Sequence, residues 1–446
     1  MVKMLRRMAS RLERPRLSGL SMSTVTVSSR PSEISSHNRS LLVDLEVGYT
    51  TVDVPKPLRY TLGMSVLLLF FTLSASSASP WQLLVPTPAP FELAGSASSS
   101  RTGTMFVVGG CSSATCTTGA SSLFIMRTAA TNASAAPVVT WSRSRAELQV
   151  PRRGVGAALM DNLLFAVGGL DTHTNSTLAT VEVLDVSSSD SNWASVRSMP
   201  TARWLLAVAS FDGRVFAVGG QTGGYQSGST CEAVESYCPR TDTWVREAPL
   251  QQARSGLGMV VINGGSLLVV VGGQTAVEHV DPGDRVLNST EVFDRVKRRW
   301  KRCPECALQQ PRVAHALVAV PGVIGGWATI LALGGGNAEF VHIGSVETLR
   351  VYVGGAEEPA GSHNSHDVWL GDAAGRPRVP PVPPVLPHPQ LQLHLPRVVP
   401  AMPGARAGAA VGIFHNDEII IAGGVDAQYN VLNSTIAYVL GATVAP

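Results

Sequence analysis

Arginine, cysteine and histidine are the residues of this chain whose types and spacing could do chemistry. Arg153, Arg203, Arg254, Arg312 and Arg406 each precede an apolar run at roughly repeated distances, and a ring of guanidinium groups could recognise carboxylates, phosphates or acidic peptides. An arginine that recurs once per repeat is more economically a hydrogen-bonding element between repeats, because a ligand rarely demands one residue from each. Six cysteines fall as three close pairs, Cys111 with Cys116, Cys231 with Cys238, and Cys303 with Cys306. Their locality makes three short disulfides the economical pairing in an oxidising compartment. Metal or redox chemistry at Cys303-Pro304-Glu305-Cys306 would need a second ligand pair or a strand-then-helix setting, and neither accompanies it. His363-Asn364-Ser365-His366 places two imidazoles in one polar turn. The Gly-x-Ser-x-Gly and Gly-rich phosphate motifs are absent as full contexts, and no acid/base pair stands at a fixed spacing. The residues therefore assign no catalytic group, metal or cofactor.

The elements that would position these residues are repeats. Six doublets, Gly109-Gly110, Gly168-Gly169, Gly219-Gly220, Gly272-Gly273, Gly334-Gly335 and Gly423-Gly424, close apolar runs, and a period of roughly 50 residues marks a propeller or solenoid. The unit is clearest from Arg203 to Trp244: an apolar run, a turn at Asp212-Gly213, a second run into the doublet, a third at Val234-Glu235-Ser236-Tyr237, and the tryptophan. Asp-Gly between two apolar runs predicts a hairpin, and four short strands fill the unit. The order recurs from Arg153 to Trp193, from Arg254 to Trp300 and, less cleanly, from Arg312 to Trp369.

Doublet glycines, a Glu-centred third strand, an Asp-rich turn and a spaced tryptophan resemble the kelch repeat over residues 81 to 442. The resemblance implies an all-β fold, a six-bladed β-propeller of four-stranded blades. The last unit stops at Pro446 without its tryptophan strand, and Trp81 to Val85 is an orphan of that type, so this N-terminal strand is expected to complete blade six and close the ring. In blade one, Phe91 to Ser100 makes a poor first strand and Arg101 lies too close to Gly109. Residues 376–400 are Pro-rich and read as a polyproline-like excursion that could dock a partner.

In such a fold the doublets and the arginines lie toward one face. The dissimilar loops on it, Cys111 to Ser121, Gln221 to Cys231 and Gln274 to Leu287, are where function is expected, with Tyr225, Glu278, His279 and Asp281 the first residues to test. Copper-radical oxidases and sugar mutarotases share the architecture, so an enzyme acting at the channel is the alternative to a module that binds a protein or glycan. Helical regions of the kind that accompany cytosolic kelch adaptors are not seen.

With 45% hydrophobic and 15% charged residues, the chain has ample surface to bury, and a formal charge of +3 makes nucleic acid an unexpected partner. Residues 1–59 are basic and Ser-rich and are expected to be disordered. Residues 60–79 hold an apolar stretch, Leu62 to Leu73, whose length suits a signal peptide or a type II signal anchor, and residues 80–446 form the propeller. Lys56 and Arg59 before the stretch favour entry of the body into the secretory pathway, secreted or on a single membrane anchor. There Asn132, Asn175, Asn288 and Asn433 would be glycosylation acceptors. The last three lie just before third strands, where the repeat itself tends to place Asn-Ser.

Overall fold

The computed structural model describes residues 80–440 except 114–118, 130–137, 226–227, 263–266, 276–284, 296, 325–326, 354–398 and 415–416. The chain divides into units Met1–Ser77 and Ala78–Pro446, the first lying wholly outside the described residues. The apolar segment, the Pro-rich stretch up to residue 398, Trp369, His363 and His366 also lie outside them.

Unit two is a six-bladed propeller of antiparallel sheets. The four strands are Gly95–Ser99, Thr104–Val108, Leu123–Ala129 and Val138–Arg143 in blade one, and Gly156–Met160, Leu163–Val167, Val181–Asp185 and Ala194–Val196 in blade two. They are Ala207–Phe211, Arg214–Val218, Val234–Cys238 and Thr243–Arg246 in blade three, and Gly258–Ile262, Leu267–Val271, Thr290–Asp294 and Arg299–Cys303 in blade four. Blade five shows Ala316–Ile324, Trp327–Leu333 and Val346–Tyr352. Asp212 and Gly213 both take positive φ between paired Phe211 and Arg214, the geometry a two-residue hairpin requires. Second strands such as Leu267–Val271 are almost continuously buried, because both faces of a blade are covered by neighbours. The core accordingly lies in six seams, one between each adjacent pair of blades.

Blade six combines Ala410–Phe414, Glu418–Ala422 and Thr435–Val439 with the N-terminal strand Gln82–Leu84. Gln82 lies opposite Ala437 and Leu84 opposite Thr435. Trp81 is buried against Tyr438, ring centroids 5.1 Å apart, and donates from Nε1 to the Pro400 carbonyl. Pairing the propeller's first strand with its last leaves no blade open at the seam.

The repeated arginines do not form a ligand ring. Arg203, Arg254 and Arg312 have no solvent exposure, and Arg406 has little. Arg254 donates through Nη1 to the carbonyls of Gly272 and Ser289 and through Nη2 to Glu291 at 2.8 Å, clipping strand two to strand three within its own blade. Arg312 with Glu347 repeats the arrangement, and Arg203 meets Glu235 at 3.1 Å. In blade two this residue is Arg152, paired with Glu182, and not Arg153 as the spacing suggested. The carbonyl of each such residue then accepts the N–H of the preceding blade's second doublet glycine, as Arg203 does from Gly169 at 3.0 Å. At Gly168, with φ +62°, a Cβ would stand 2.5 Å from that same carbonyl, so the doublet is what lets one blade approach the next.

Blade one builds the position differently. Phe91 occupies the arginine's place, accepting from Gly424 N–H at 2.7 Å, and Phe124 stands at the glutamate's register position. Their rings stack at 6.2 Å, so an aromatic pair replaces the ion pair. The first strand that the sequence left doubtful is Gly95–Ser99. Blade six keeps Arg406 but has Ile436 where the glutamate would be, and burial alone brings the Arg406 guanidinium down to about 10.

Cys303 and Cys306 form a disulfide that closes a single 3-10 turn. Cys111 is disulfide-bonded, and Cys116 lies outside the described residues. Cys231 and Cys238, expected as a pair, are free thiols. The extended strand Val234–Cys238 lies between them and alone spans ~13 Å, well beyond the ~7 Å a disulfide can bridge.

Candidate functional site

The residue after each clip position sits at the mouth of the central channel on the doublet end. Glu92, Arg153, Trp204, Ser255, Val313 and Ala407 each make one bridge to the residue following their blade's doublet. The next six residues, Leu93, Gly154, Leu205, Gly256, Ala314 and Gly408, all take φ between 50° and 62°. Each donates its N–H to the carbonyl of its counterpart in the preceding blade at 2.8 to 3.2 Å, and Leu93 completes the circle onto Gly408. A closed girdle of six backbone hydrogen bonds thus fixes the mouth. The left-handed conformation is strained for leucine, and the larger residues alternate with glycines around the ring. At Gly154 a Cβ would stand 2.8 Å from the Trp204 ring.

Three mouth residues in consecutive blades carry chemistry. The Arg153 guanidinium carbon lies 5.4 Å from the Trp204 ring centroid and 4.6 Å from that of Tyr225, whose centroids are 6.1 Å apart, a cation packed against two adjoining rings. Tyr225 is 56% exposed and covers the stack, while Arg153 and Trp204 are buried. The Asn175 side-chain oxygen accepts from the Tyr225 N–H at 3.0 Å. Glu92 stands on the Arg153 side, with the Cys111 sulfur 3.4 Å from its Oε1. Burial pushes the Glu92 carboxyl up to about 7, against the pull of Arg153, so this wall of the mouth changes charge near neutrality.

A second exposed cluster lies on the same face in blades five and six. The loops beginning at Asn337 and Asp426 share one geometry: Asn337 Oδ1 accepts from the N–H of Glu339 and Val341, and Asp426 Oδ1 from those of Gln428 and Asn430. Each loop thereby holds an aromatic residue at positive φ, Phe340 at 57° and Tyr429 at 62°. The loops touch: His342 Nδ1 lies 2.7 Å from the Asp426 carbonyl and its ring 4.9 Å from that of Tyr429. Phe340, Val341 and Tyr429 are 40%, 52% and 59% exposed. A bulky residue in the left-handed region is an outlier that persists only when its surroundings impose it.

The Kelch motif family model matches residues 151–200, 205–251 and 253–307, which are blades two, three and four. This chain is a kelch-repeat β-propeller. Residues of it are 29% identical over 156 positions to beta-scruin of Limulus polyphemus, covering 34% of this chain and 16% of that protein. They are 30% identical over 164 positions to kelch-like protein 41a of Danio rerio, covering 37% and 25%. The matched segments therefore span a quarter or less of these relatives' own lengths. The solved structure of YjhT superposes with a TM-score of 0.52 at 13% identity, covering 79% of this chain and 96% of that one.

The channel of this kelch propeller encloses about 460 Å³ and is lined by the first strands of all six blades. Its wall is mostly glycine, alanine, serine and aliphatic residues, with His315 the sole titratable side chain among the described lining residues. His315 occupies a place held by Ala94, Val155, Leu206, Leu257 and Ala409 in the other blades, and burial, reinforced by the Arg312 charge, lowers its imidazole to about 3.

Of the residues singled out in the sequence, Arg153 and Tyr225 meet at the mouth. Glu278, His279, Asp281 and Asn132 lie outside the described residues. Asn175 is exposed within the Tyr225 cluster, Asn433 is exposed just before the third strand of blade six, and Asn288 is exposed but donates to the Leu308 carbonyl at 3.1 Å. Sequence reasoning missed Glu92, Trp204, Phe340 and Tyr429. A partial signal existed for Trp204: Arg152-Arg153-Gly154, Arg254-Ser255-Gly256 and Arg406-Ala407-Gly408 share an Arg-x-Gly pattern whose middle residue is the mouth position, and Trp204 likewise follows Arg203, whereas Phe91-Glu92-Leu93 carries neither end of the pattern.

Proposed function

We propose that this kelch propeller is a non-enzymatic binding module that grips a partner protein with its doublet-end face. The observation that carries the reading is the exposure there of Tyr225, Phe340, Val341 and Tyr429 on loops fixed by hydrogen bonds. Large apolar side chains held in water by rigid loops are what an interface centre requires, and Tyr and Arg are enriched among residues that dominate binding energy. The Tyr225 ring over Arg153 could equally stack on a sugar, so a glycan on the partner is the second ligand class. The Cys303–Cys306 disulfide and the exposed sequons at Asn175, Asn288 and Asn433 support placing the module in the secretory lumen or tethered to its membrane.

The test is proximity labelling by the full chain in secretory-competent cells, comparing wild type with Tyr225→Ser and Tyr429→Ser and with Val245→Ser on an outer strand. Partners lost with either tyrosine variant and kept with Val245→Ser support the face. Partners unaffected by both tyrosine changes overturn it. Sensitivity of capture to glycosidase treatment of the partner decides between protein and glycan, and N-terminal sequencing of the mature chain decides the compartment.

A further inference from the structure

Blade four carries a feature unrelated to the mouth. Residues 295–302 read Arg-Val-Lys-Arg-Arg-Trp-Lys-Arg, six basic residues in eight, with Arg295, Lys297 and Arg298 in the last turn of the blade and the other three in its outer strand Arg299–Cys303. Basic residues do protect exposed strand edges from pairing. The outer strands Gln82–Leu84, Val138–Arg143, Ala194–Val196 and Thr243–Arg246 manage with at most one each, so edge protection does not account for this density. Two of the six are neutralised by blade three: Arg295 meets Asp212 at 2.6 Å and Arg298 meets Glu247 at 2.5 Å. Lys297, Arg299, Lys301 and Arg302 are exposed and enter no ion pair among the described residues.

The strand holds these charges in a fixed array. Trp300 and Cys303 are buried in the seams on either side, and the ion pairs of Arg295 and Arg298 tie the turn to the neighbouring blade. Alternation puts Arg299 and Lys301 on one face, ~7 Å apart, and Arg302 on the other. The result is a narrow positive ridge. Trp300, the one aromatic residue in it, is buried and unavailable for stacking on bases. The neighbouring exposed Val245 offers too little apolar surface to enter a bilayer.

We propose that this ridge binds a sulfated polysaccharide, a linear polyanion whose closely spaced sulfates match charges displayed along one strand. The inference is independent of the mouth, and rests on the lumenal reading only for where the ligand would be met.

The test uses the full chain with heparin as probe, measuring affinity against salt for wild type, for Arg299→Ser/Lys301→Ser/Arg302→Ser, and for Arg101→Ser/Arg127→Ser/Arg145→Ser on blade one. Basic N-terminal residues contribute equally to all three. Wild type and the blade-one variant should be retained at ~0.15 M salt, while the ridge variant binds at least about ten-fold more weakly, with its log–log salt slope reduced by roughly one per charge removed. Equal weakening of both variants, with melting temperatures unchanged, overturns the proposal, as does flow-through of wild type. Tighter, ridge-dependent capture by single-stranded oligonucleotides or phosphatidylserine vesicles also overturns it. Failure of heparin binding in a chain that is shown to be processed and glycosylated would leave the lumenal reading standing.

Discussion

Removing the Arg254 side chain should destabilise the propeller more than removing Arg406, although both occupy the same repeat position. Arg254→Met strips the donors from the Gly272 and Ser289 carbonyls and leaves Glu291, with no solvent exposure, without its cation. Breaking a buried pair from one side costs ~3–5 kcal/mol. With an unfolding entropy of ~2.1 cal/mol/K per residue over roughly 360 residues, ~4 kcal/mol lowers Tm by about 5 °C. Arg406→Met strips the Gly423 and Ser434 carbonyls in the same way but strands no carboxylate, so about half that shift is expected. In Arg254→Met/Glu291→Leu the buried charge is gone, as it is in blade one where Phe91 and Phe124 stack. About half of the loss should return, because Gln251 is exposed and Gln252 half-buried, so water can accept from the two N–H groups that donated to Glu291. Scanning calorimetry of the four proteins at one scan rate measures this. A double variant no more stable than Arg254→Met, or equal shifts for Arg254→Met and Arg406→Met, would refute the assignment of the penalty to the stranded glutamate.

Three further outcomes follow from the same structure. His315 protonates near its ordinary 6.5 when unfolded but only at about 3 when folded, so the unfolded chain binds the extra proton and stability falls as pH drops from 6.5 toward 3. The loss reaches ~2 kcal/mol at pH 5, and urea titrations of His315→Leu should show a flatter acid limb than wild type; parallel limbs would count against it. Glu92, with its carboxyl raised to about 7, should impose a fluorescence transition near pH 7 on Trp204 through the Arg153 they share, absent from Glu92→Gln. Cys238, half-exposed and with its thiol lowered by hydrogen bonding from Thr241, should take up one equivalent of a small alkylating agent well before the partly buried Cys231, whose thiol burial raises; mass mapping that finds Cys231 modified first would contradict the placement.

Much of the fold could be read from the chain because its determinants are local and repeat. An Asp-Gly hairpin and an arginine that reaches a glutamate some 30 residues on in the same blade act within one unit, and the positive-φ doublet recurs at every junction between units, so each copy reports the same physics. Ring closure by Trp81 to Val85 was equally legible, since a unit lacking its outer strand at one end and an unmatched strand at the other have one economical solution. The candidate site was only half legible. Arg153 was picked as a repeat arginine when the clip residue is its neighbour Arg152, and that one-position shift is what frees Arg153 for the mouth.

By itself the sequence determined the all-β blades, their number and the order in which they join, because the repeat of roughly 50 residues and the turn chemistry inside it depend on near neighbours. Only the tertiary structure decided what stands at the mouth. Glu92, Arg153 and Trp204 come from three blades and meet because the backbone girdle brings equivalent positions of different repeats into one circle. The same holds for the raised Glu92 carboxyl, the lowered His315 imidazole and the free Cys231 and Cys238: burial and distance set each of them, and neither is a property of a residue's neighbours along the chain.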